Sequence, residues 1–176
     1  MTLTTLEMEI ALMKFFDTSK NLIVPNVSWG LGLNECDLLI LNKSGYATEI
    51  EIKVSKADLI RDRQKKHEHN RANVLVKDFY FAVPYDLIAD ALSVMPKRAG
   101  LYGVKKYYDP SDKHQYYDIR MIDKAKSNIG ARAWSDKNRC KLAYLGALRI
   151  LKLKQKALRL EKVEKAFKIF MEDKKK

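Results

Sequence analysis

The sequence predicts an α/β fold in which a mixed central β-sheet is flanked by helices. Short strand-like runs, either alternating or continuously apolar, recur through the first two thirds of the chain between turn residues. Helical patterns stand before, between and after these runs. The chain has 176 residues, of which 47% are hydrophobic, so it is long enough to form one such domain with its own core.

The elements are expected in the order helix, three-stranded meander, helix, strand, helix, two strands and a long basic helix. The first helix covers residues 3–16, with Thr4 or Thr5 as its cap. Turn residues divide the three meander strands, which are expected at 21–29, 36–41 and 47–54. The later elements are a helix from Ser55 to about Asn70, a strand at 78–83, a helix at 85–95, strands at 101–108 and 116–122, and a helix from about Ala131 onward.

The charge balance favours a polyanionic partner. Lys and Arg number 34 against 22 Asp and Glu, a formal net charge of +12. Counterion release makes DNA or RNA the usual ligand of such a protein, although a lysine-rich surface without that role is the alternative. No apolar run approaches the roughly 20 residues of a membrane span, and the N-terminus lacks a signal-peptide pattern. We therefore expect a cytoplasmic protein with no membrane partner, and free thiols at Cys36 and Cys140.

Two acids are predicted to face each other across a hairpin of the meander. In the run ATEIEIKV, alternation places Glu49, Glu51 and Lys53 on one face. If the preceding turn, Asn42–Gly45, is symmetric about Ser44, Asp37 lies opposite Glu51 on that same face. Facing carboxylates repel each other, and a divalent cation with oxygen ligands relieves the repulsion. For the Glu-x-Lys pattern alone, a solvated polar strand face is the alternative.

The first helix offers a third acid. Its helical phase puts Glu9 inside the apolar arc, between Met13 and Phe16, whereas Glu7 falls beside Lys14 on the polar stripe. A carboxylate on a core face needs a partner, which is either the proposed cation or a buried salt bridge. Glu9 is therefore the candidate, and Glu7 is expected to be solvated or paired with Lys14.

Together these residues resemble the PD-(D/E)XK, or restriction-endonuclease-like, nuclease superfamily. The segments EIKVSKADLIRDRQ, FYFAVP and PKRAGL, with the basic C-terminal helix, are similar to its MmcB-like DNA-repair branch. The likeness spans about residues 3–155 and is most specific from Glu51 to Asp62. The usual proline before the first acid is absent, since Cys36 precedes Asp37. We expect a nuclease-like domain at 1–155 and a basic helical extension at 156–176.

The resemblance implies a restriction-endonuclease-like core and a metal-dependent DNA nuclease of repair, recombination, or phage or bacterial DNA processing. It implies that Asp37, Glu51 and the Ile52 backbone carbonyl bind Mg²⁺, with Glu9 as a direct or water-mediated ligand and Mn²⁺ as a substitute. Lys53 is expected to orient the attacking water or to stabilise developing charge. Such a protein would be nucleoid-associated or phage-encoded in a bacterial host.

Basic residues after the Glu-x-Lys strand are candidates for phosphate contact, with a solvated helix face as the alternative. They are Lys56, Arg61, Arg63, Lys65, Lys66 and Arg71. His67 and His69 lie about 200° apart on a helix, so they are not expected to converge on one metal ion.

The long C-terminal helix carries an apolar stripe whose partner the sequence leaves open. From Asp136 to the end there are 14 Lys or Arg and five acids. The stripe consists of Leu153, Ala157, Leu160, Phe167 and Met171, spaced by three and four and interrupted by Glu164. It is expected to pack on the domain or to pair with a second copy in a homodimer.

Two other functions compete with a nuclease. One is a non-cleaving DNA-binding module of the same fold. The other is a basic RNA-binding or interaction protein, although the sequence shows no aromatic stacking motif.

Overall fold

One six-stranded sheet organises the protein in a computed structural model, which describes residues 3–27, 31–33, 35–64, 73–111 and 114–173. The strands lie in the sheet in chain order. They are β1 (Leu22–Val27), β2 (Cys36–Leu41), β3 (Ala47–Ile52), β4 (Asp78–Pro84), β5 (Gly100–Asp109) and β6 (His114–Asp123). The first three strands form an antiparallel meander, β3 to β5 are parallel, and β6 returns antiparallel to β5. The predicted mixed sheet is therefore confirmed, and it is open.

Within the described residues, four α-helices flank the sheet, as predicted. They are α1 (Thr5–Phe15), α2 (Lys56–Gln64), α3 (Ile88–Val94) and α4 (Asp136–Asp173). Parallel neighbours need crossover connections, and α2 and α3 lie in those connections. Thr4 caps α1 in a reciprocal capping box with Glu7, and Ser55 accepts a hydrogen bond from the Asp58 backbone N–H at the start of α2.

Each face of the sheet has its own core. One face is covered by α1 and buries apolar residues of β2 to β5, among them Leu38, Ile50, Ile52, Ala82 and Val104. Along β3 these apolar residues alternate with the acids. The opposite face has two clusters. One joins the start of α4 to β1 and β2 through Val24, Leu39, Trp134 and Leu142, and the other joins α2 and α3 to β4 and β5 through Leu59, Phe79, Phe81, Ala91 and Leu101.

Two of the predicted helices have wrong boundaries. The last helix begins at Asp136 and not at Ala131, because Trp134 is buried and ties the preceding segment to the sheet. Its indole Nε1 donates to the Leu75 carbonyl at 2.7 Å, and its backbone N–H donates to the Gly45 carbonyl at 2.8 Å. The helix expected at 85–95 is a 3₁₀ turn, Tyr85–Leu87, followed by α3; such turns are common at helix starts.

Only the beginning of α4 packs on the sheet. Leu142 is fully buried, and Gly146 lies next to the Val24 side chain of β1. From Ile150 onward the large apolar side chains of α4 that the structure describes are exposed. The boundary expected at residue 155 falls inside this continuous helix. No helix among the described residues is long and apolar enough to cross a membrane.

Candidate metal centre

Asp37 lies near the start of β2 and Glu51 near the end of β3, at the same end of the hairpin. The register pairs Leu38 with Ile50 and Leu41 with Ala47, which is the symmetric turn that the sequence predicted. The pairing ends at Leu38 and Ile50, the neighbours of Asp37 and Glu51 in the chain. The Asp37 carboxylate accepts a hydrogen bond from the Ile52 backbone N–H at 2.8 Å, so a side chain of β2 takes the place of a backbone partner there.

The same contact orients the Ile52 carbonyl. In an antiparallel ladder one residue directs its N–H and its C=O toward the same neighbouring strand. Because the Ile52 N–H faces Asp37, the Ile52 carbonyl also lies on the β2 side of β3. A backbone oxygen is thereby placed beside the two carboxylates.

Glu51 forms a buried ion pair with Lys53. The Lys53 Nζ lies 2.7 Å from the Glu51 Oε2, and the two side chains are only 13% and 8% exposed. Charges in such surroundings are retained only when they are paired and hydrogen-bonded. Lys53 therefore compensates the charge of Glu51 at this edge of the sheet.

Further acids make the surroundings strongly negative. Glu49 shares the Glu51 face of β3 and is also buried. Burial raises the pKa of the Cys36 thiol, and the charges of Glu49, Glu51 and Asp37 raise it further. Cys36 is thus a protonated, free thiol beside three carboxylates.

Arg98 is a cation of this region that the sequence reasoning did not assign. Burial lowers the pKa of its guanidinium, and the nearby charge of Glu49 opposes that change. The guanidinium also lies over the Phe79 ring, 5.2 Å from its centroid. No local pattern pointed to this role, since Arg98 reaches Glu49 from a loop 49 positions away.

Glu9 approaches the site from α1, as its helical phase predicted. It is half-buried, and its carboxylate accepts a hydrogen bond from the Asn26 side-chain amide at 3.0 Å. Burial raises the pKa of Glu9; the Asn26 hydrogen bond opposes this, and the charge of Asp37 adds to it. Glu9 therefore lies within electrostatic reach of Asp37. Asn26 itself was missed, although the strand-disfavoured pair Pro25-Asn26 was a signal of irregular backbone, and Asn26 has a φ of +52°.

The expectation that Glu7 is solvated or paired with Lys14 is wrong. Its Oε1 lies 2.5 Å from the Nζ of Lys106, which β5 brings to the start of α1. The hydrogen bonds from Lys106 and Thr4 lower the pKa of Glu7 to about 2. Helical phase could not reveal a partner 99 residues away.

The candidate DNA-binding cations that the structure describes are on the surface of α2. Lys56 pairs with Asp90 at 2.7 Å and Arg61 with Asp58 at 3.7 Å, and the two basic side chains are 66% and 71% exposed. Exposed pairs of this kind contribute little stability, so a phosphate can replace the carboxylate. Arg63 lies in α2, whereas Lys65, Lys66, Arg71, His67 and His69 fall outside the described residues.

The donor chemistry of the site fits a hard divalent cation. The carboxylates of Asp37, Glu51 and Glu9 and the Ile52 carbonyl are oxygen donors of the kind that Mg²⁺ prefers. Across the described part of the chain, no group of three His, Cys, Asp or Glu side chains converges closely enough to hold a metal ion as it stands. Glu51 is turned toward Lys53, so metal binding requires that carboxylate to exchange its partner.

Comparison with known proteins gives a likeness of fold. The chain is similar to a solved structure described as the SPO1766 protein of unknown function from Silicibacter pomeroyi, with a TM-score of 0.52 and 20% sequence identity. The match covers 90% of this chain and 94% of that one. At this identity the likeness shows the fold alone. No protein-family model matches the chain, and no curated protein matches it.

Proposed function

We propose that this protein is a Mg²⁺-dependent nuclease that hydrolyses DNA phosphodiester bonds in DNA repair or processing. The observation that carries the proposal is that Asp37, bonded to the Ile52 N–H, and Glu51, paired with Lys53, lie at the same end of the β2–β3 hairpin, with Glu9 within electrostatic reach of Asp37. The resemblance of these residues and their flanking segments to the PD-(D/E)XK superfamily supports the same function.

The residues have distinct roles in this proposal. Asp37, Glu51 and the Ile52 carbonyl hold the cation, and Glu9 completes the ligand shell directly or through water. Bound Mg²⁺ (or Mn²⁺) supplies Lewis-acid stabilisation of phosphate charge and lowers the pKa of water. Lys53, released from Glu51, donates a hydrogen bond to the attacking water or to a phosphate oxygen.

The net positive charge of the protein favours DNA as its partner. The net charge of +12 favours a polyanion, and α2, which begins three residues after Lys53, carries Lys56 and Arg61 on its surface. Contacts of these cations with phosphates position the duplex or strand but do not select a sequence.

A non-cleaving DNA-binding module of the same fold is the second candidate. The observation that favours it is the Glu51–Lys53 ion pair, which neutralises the acid that a metal would need. A structural ion pair and a metal ligand respond differently to loss of the carboxylate charge, and that difference separates the two functions.

The decisive experiment compares Glu51→Gln with Glu49→Gln. Both acids are on the same face of β3 and are similarly buried, at 6% and 8% exposure, so Glu49 is a matched control. Cleavage of single-stranded, duplex, nicked and branched DNA is measured with Mg²⁺ and with Mn²⁺. We expect Glu51→Gln and Asp37→Asn to abolish cleavage and Glu49→Gln to retain it. Asparagine still offers an oxygen to the Ile52 N–H, so the hairpin is preserved.

Each outcome has a clear meaning. Undiminished cleavage by folded Glu51→Gln would refute the site. Wild-type protein that binds DNA but cleaves no substrate with either metal would replace the nuclease with the binding module.

We also propose that a second copy of the chain covers the exposed half of α4. Its exposed large apolar residues include Ile150, Leu153, Leu160, Val163, Phe167, Phe170 and Met171, each at least 43% accessible. The accessible surface of the chain is 11945 Å². A compact monomer of this mass has about 8,800 Å². Monomers rarely expose a continuous apolar stripe of this length, and spacings of three and four suit pairing with an identical helix.

A further inference from the structure

The hairpin of β5 and β6 extends beyond the rest of the sheet. The last residue of β4, Pro84, pairs with Val104, whereas β5 continues to Asp109. From the pair of Lys105 with Asp118 onward, β5 and β6 therefore continue as a two-stranded ribbon. Five further residues carry this ribbon about 17 Å past the carboxyl end of β4.

Tyrosine side chains are exposed on this ribbon. Tyr107 and Tyr116 face each other across the strands, with ring centroids 5.6 Å apart and planes inclined by 20°. They remain 48% and 39% exposed, and Tyr108, on the opposite face, is 47% exposed. A cross-strand aromatic pair stabilises a hairpin by about 0.2–1 kcal/mol, but that role does not require so much ring surface in solvent. Tyr107 therefore presents about half of its surface to solvent.

This tyrosine pair lies on the same face of the sheet as the candidate metal centre. The register places Glu51, Phe81 and Leu101 in one row across β3, β4 and β5, so their side chains share a face. Alternation along β5 then puts Lys105 and Tyr107 on that face. Tyr107 is six residues beyond Leu101 and two strands from Glu51, a separation of about 20 Å.

We propose that Tyr107, supported by Tyr116, stacks against an unpaired nucleobase, so that the substrate is DNA with a single-stranded segment. The inference rests on the proposed nuclease function and specifies its substrate class. Bases in a duplex are stacked on each other, whereas an unpaired base offers a free aromatic face. Stacking of this kind tolerates any base and contributes about 1–3 kcal/mol.

Lys105 provides the electrostatic part of this contact. It is exposed on the same face, between the row of the metal centre and Tyr107. A strand that is bound along the ribbon would pass this cation, which can pair with a phosphate. The next residue, Lys106, lies on the opposite face in its ion pair with Glu7, so it is not part of the surface.

The test compares Tyr107→Ala with Tyr108→Ala. The two tyrosines are adjacent and equally exposed but lie on opposite faces, which makes Tyr108 the control. Binding of a labelled single-stranded oligothymidine, a blunt duplex and a duplex with a single-stranded tail is measured by fluorescence anisotropy in EDTA, which prevents metal-dependent cleavage. We expect Tyr107→Ala to weaken binding of the oligothymidine and of the tailed duplex by about 5- to 150-fold. Tyr108→Ala should change the affinity for every DNA by less than about two-fold, and Tyr107→Ala should change the affinity for the blunt duplex equally little. Tyr107→Phe should bind as the wild type does, since it keeps the ring.

Several results would overturn the inference. Equal loss on single-stranded and blunt duplex DNA would mean that the ribbon contacts the duplex, and equal loss in the two alanine variants would mean that only hairpin stability matters. A wild type that cleaves duplex DNA but does not bind single strands would refute the stacking role and leave the nuclease function intact. Absence of both DNA binding and cleavage in the wild type would refute the function itself.

Discussion

Two acids on α1, only two residues apart, should respond in opposite ways to loss of their charge. Glu7 holds the capping box of α1 and an ion pair with Lys106, whereas Glu9 lies toward Asp37. We therefore expect Glu7→Gln to lower the stability of the fold and leave cleavage within a few-fold. Glu9→Gln should reduce cleavage clearly and should not lower stability.

The magnitude for Glu7 follows from its contacts. A pKa lowered from 4.5 to about 2 sets an upper limit of about 3 kcal/mol on what the ionised carboxylate contributes. The side chain is 24% exposed, so solvent screening reduces this figure. With the usual size of a helix-cap contribution, we expect a loss of about 1–2 kcal/mol, or about 2–8 °C in Tm.

The two acids also differ in the sign of their pH dependence. The pKa of Glu7 is lowered by folding, so its contribution is fully present above pH 4.5 and disappears as the pH falls toward about 2. The pKa of Glu9 is raised by folding, so its ionised form destabilises the fold at neutral pH. Replacing Glu9 by glutamine removes that cost and keeps an oxygen for Asn26.

The assay is urea unfolding of both variants at pH 7 and at pH 3, with cleavage measured on the same preparations. A double-mutant cycle with Lys106→Gln isolates the Glu7–Lys106 pair from the capping box. The reasoning fails if the stability deficit of Glu7→Gln is the same at both pH values. It also fails if Glu7→Gln, and not Glu9→Gln, abolishes cleavage.

The other predictions concern α4 and a buried hydroxyl. Leu160→Glu should convert a dimer to a monomer in sedimentation, whereas Leu158→Glu should leave the dimer intact. The two leucines are equally exposed, at 54%, but lie on opposite sides of α4. A monomeric wild type would refute self-association. Tyr85→Phe should raise the free energy of unfolding in urea by about 1 kcal/mol, because the Tyr85 hydroxyl is buried without a hydrogen-bond partner among the described residues. A clear loss of stability would show that this hydroxyl forms a hydrogen bond in solution.

The register of the β2–β3 hairpin could be predicted because it depends on local information. A short turn fixes the pairing of β2 with β3 from Leu41 and Ala47 to Leu38 and Ile50. Similarly, the helical phase of α1 was sufficient to place Glu9 toward the sheet. Both rules act within about 15 residues of chain.

Contacts between distant segments could not be predicted in this way. The partners of Glu7 and Glu9 come from β5 and β1, and the position of Trp134 is set by a carbonyl 59 residues earlier. The residues just before this anchor, 131–133, stay outside the helix even though their composition favours one. Tertiary contacts therefore set both the start of α4 and the partners of the acids.

The tyrosine pair shows the same limit. Tyr107 and Tyr116 belong to different strands, and only the register of β5 with β6 makes them neighbours. Their exposure depends on a further fact, that β4 ends before β5 does. A search of the sequence for a local aromatic motif misses a surface that forms from two strands.

The acids of the candidate metal centre are difficult to explain as a device for stability. Glu49 and Glu51 are buried near the charge of Asp37, so repulsion and desolvation disfavour their ionised forms. A cation that binds the folded state offsets that cost and stabilises the fold by about 2.7 kcal/mol at a hundred times its Kd. If the acids are ligands, Mg²⁺ should raise the Tm of the wild type and of Glu49→Gln, but not that of Glu51→Gln. If Lys53 alone compensates Glu51, Mg²⁺ should leave all three unchanged, and the acids would then serve only the fold.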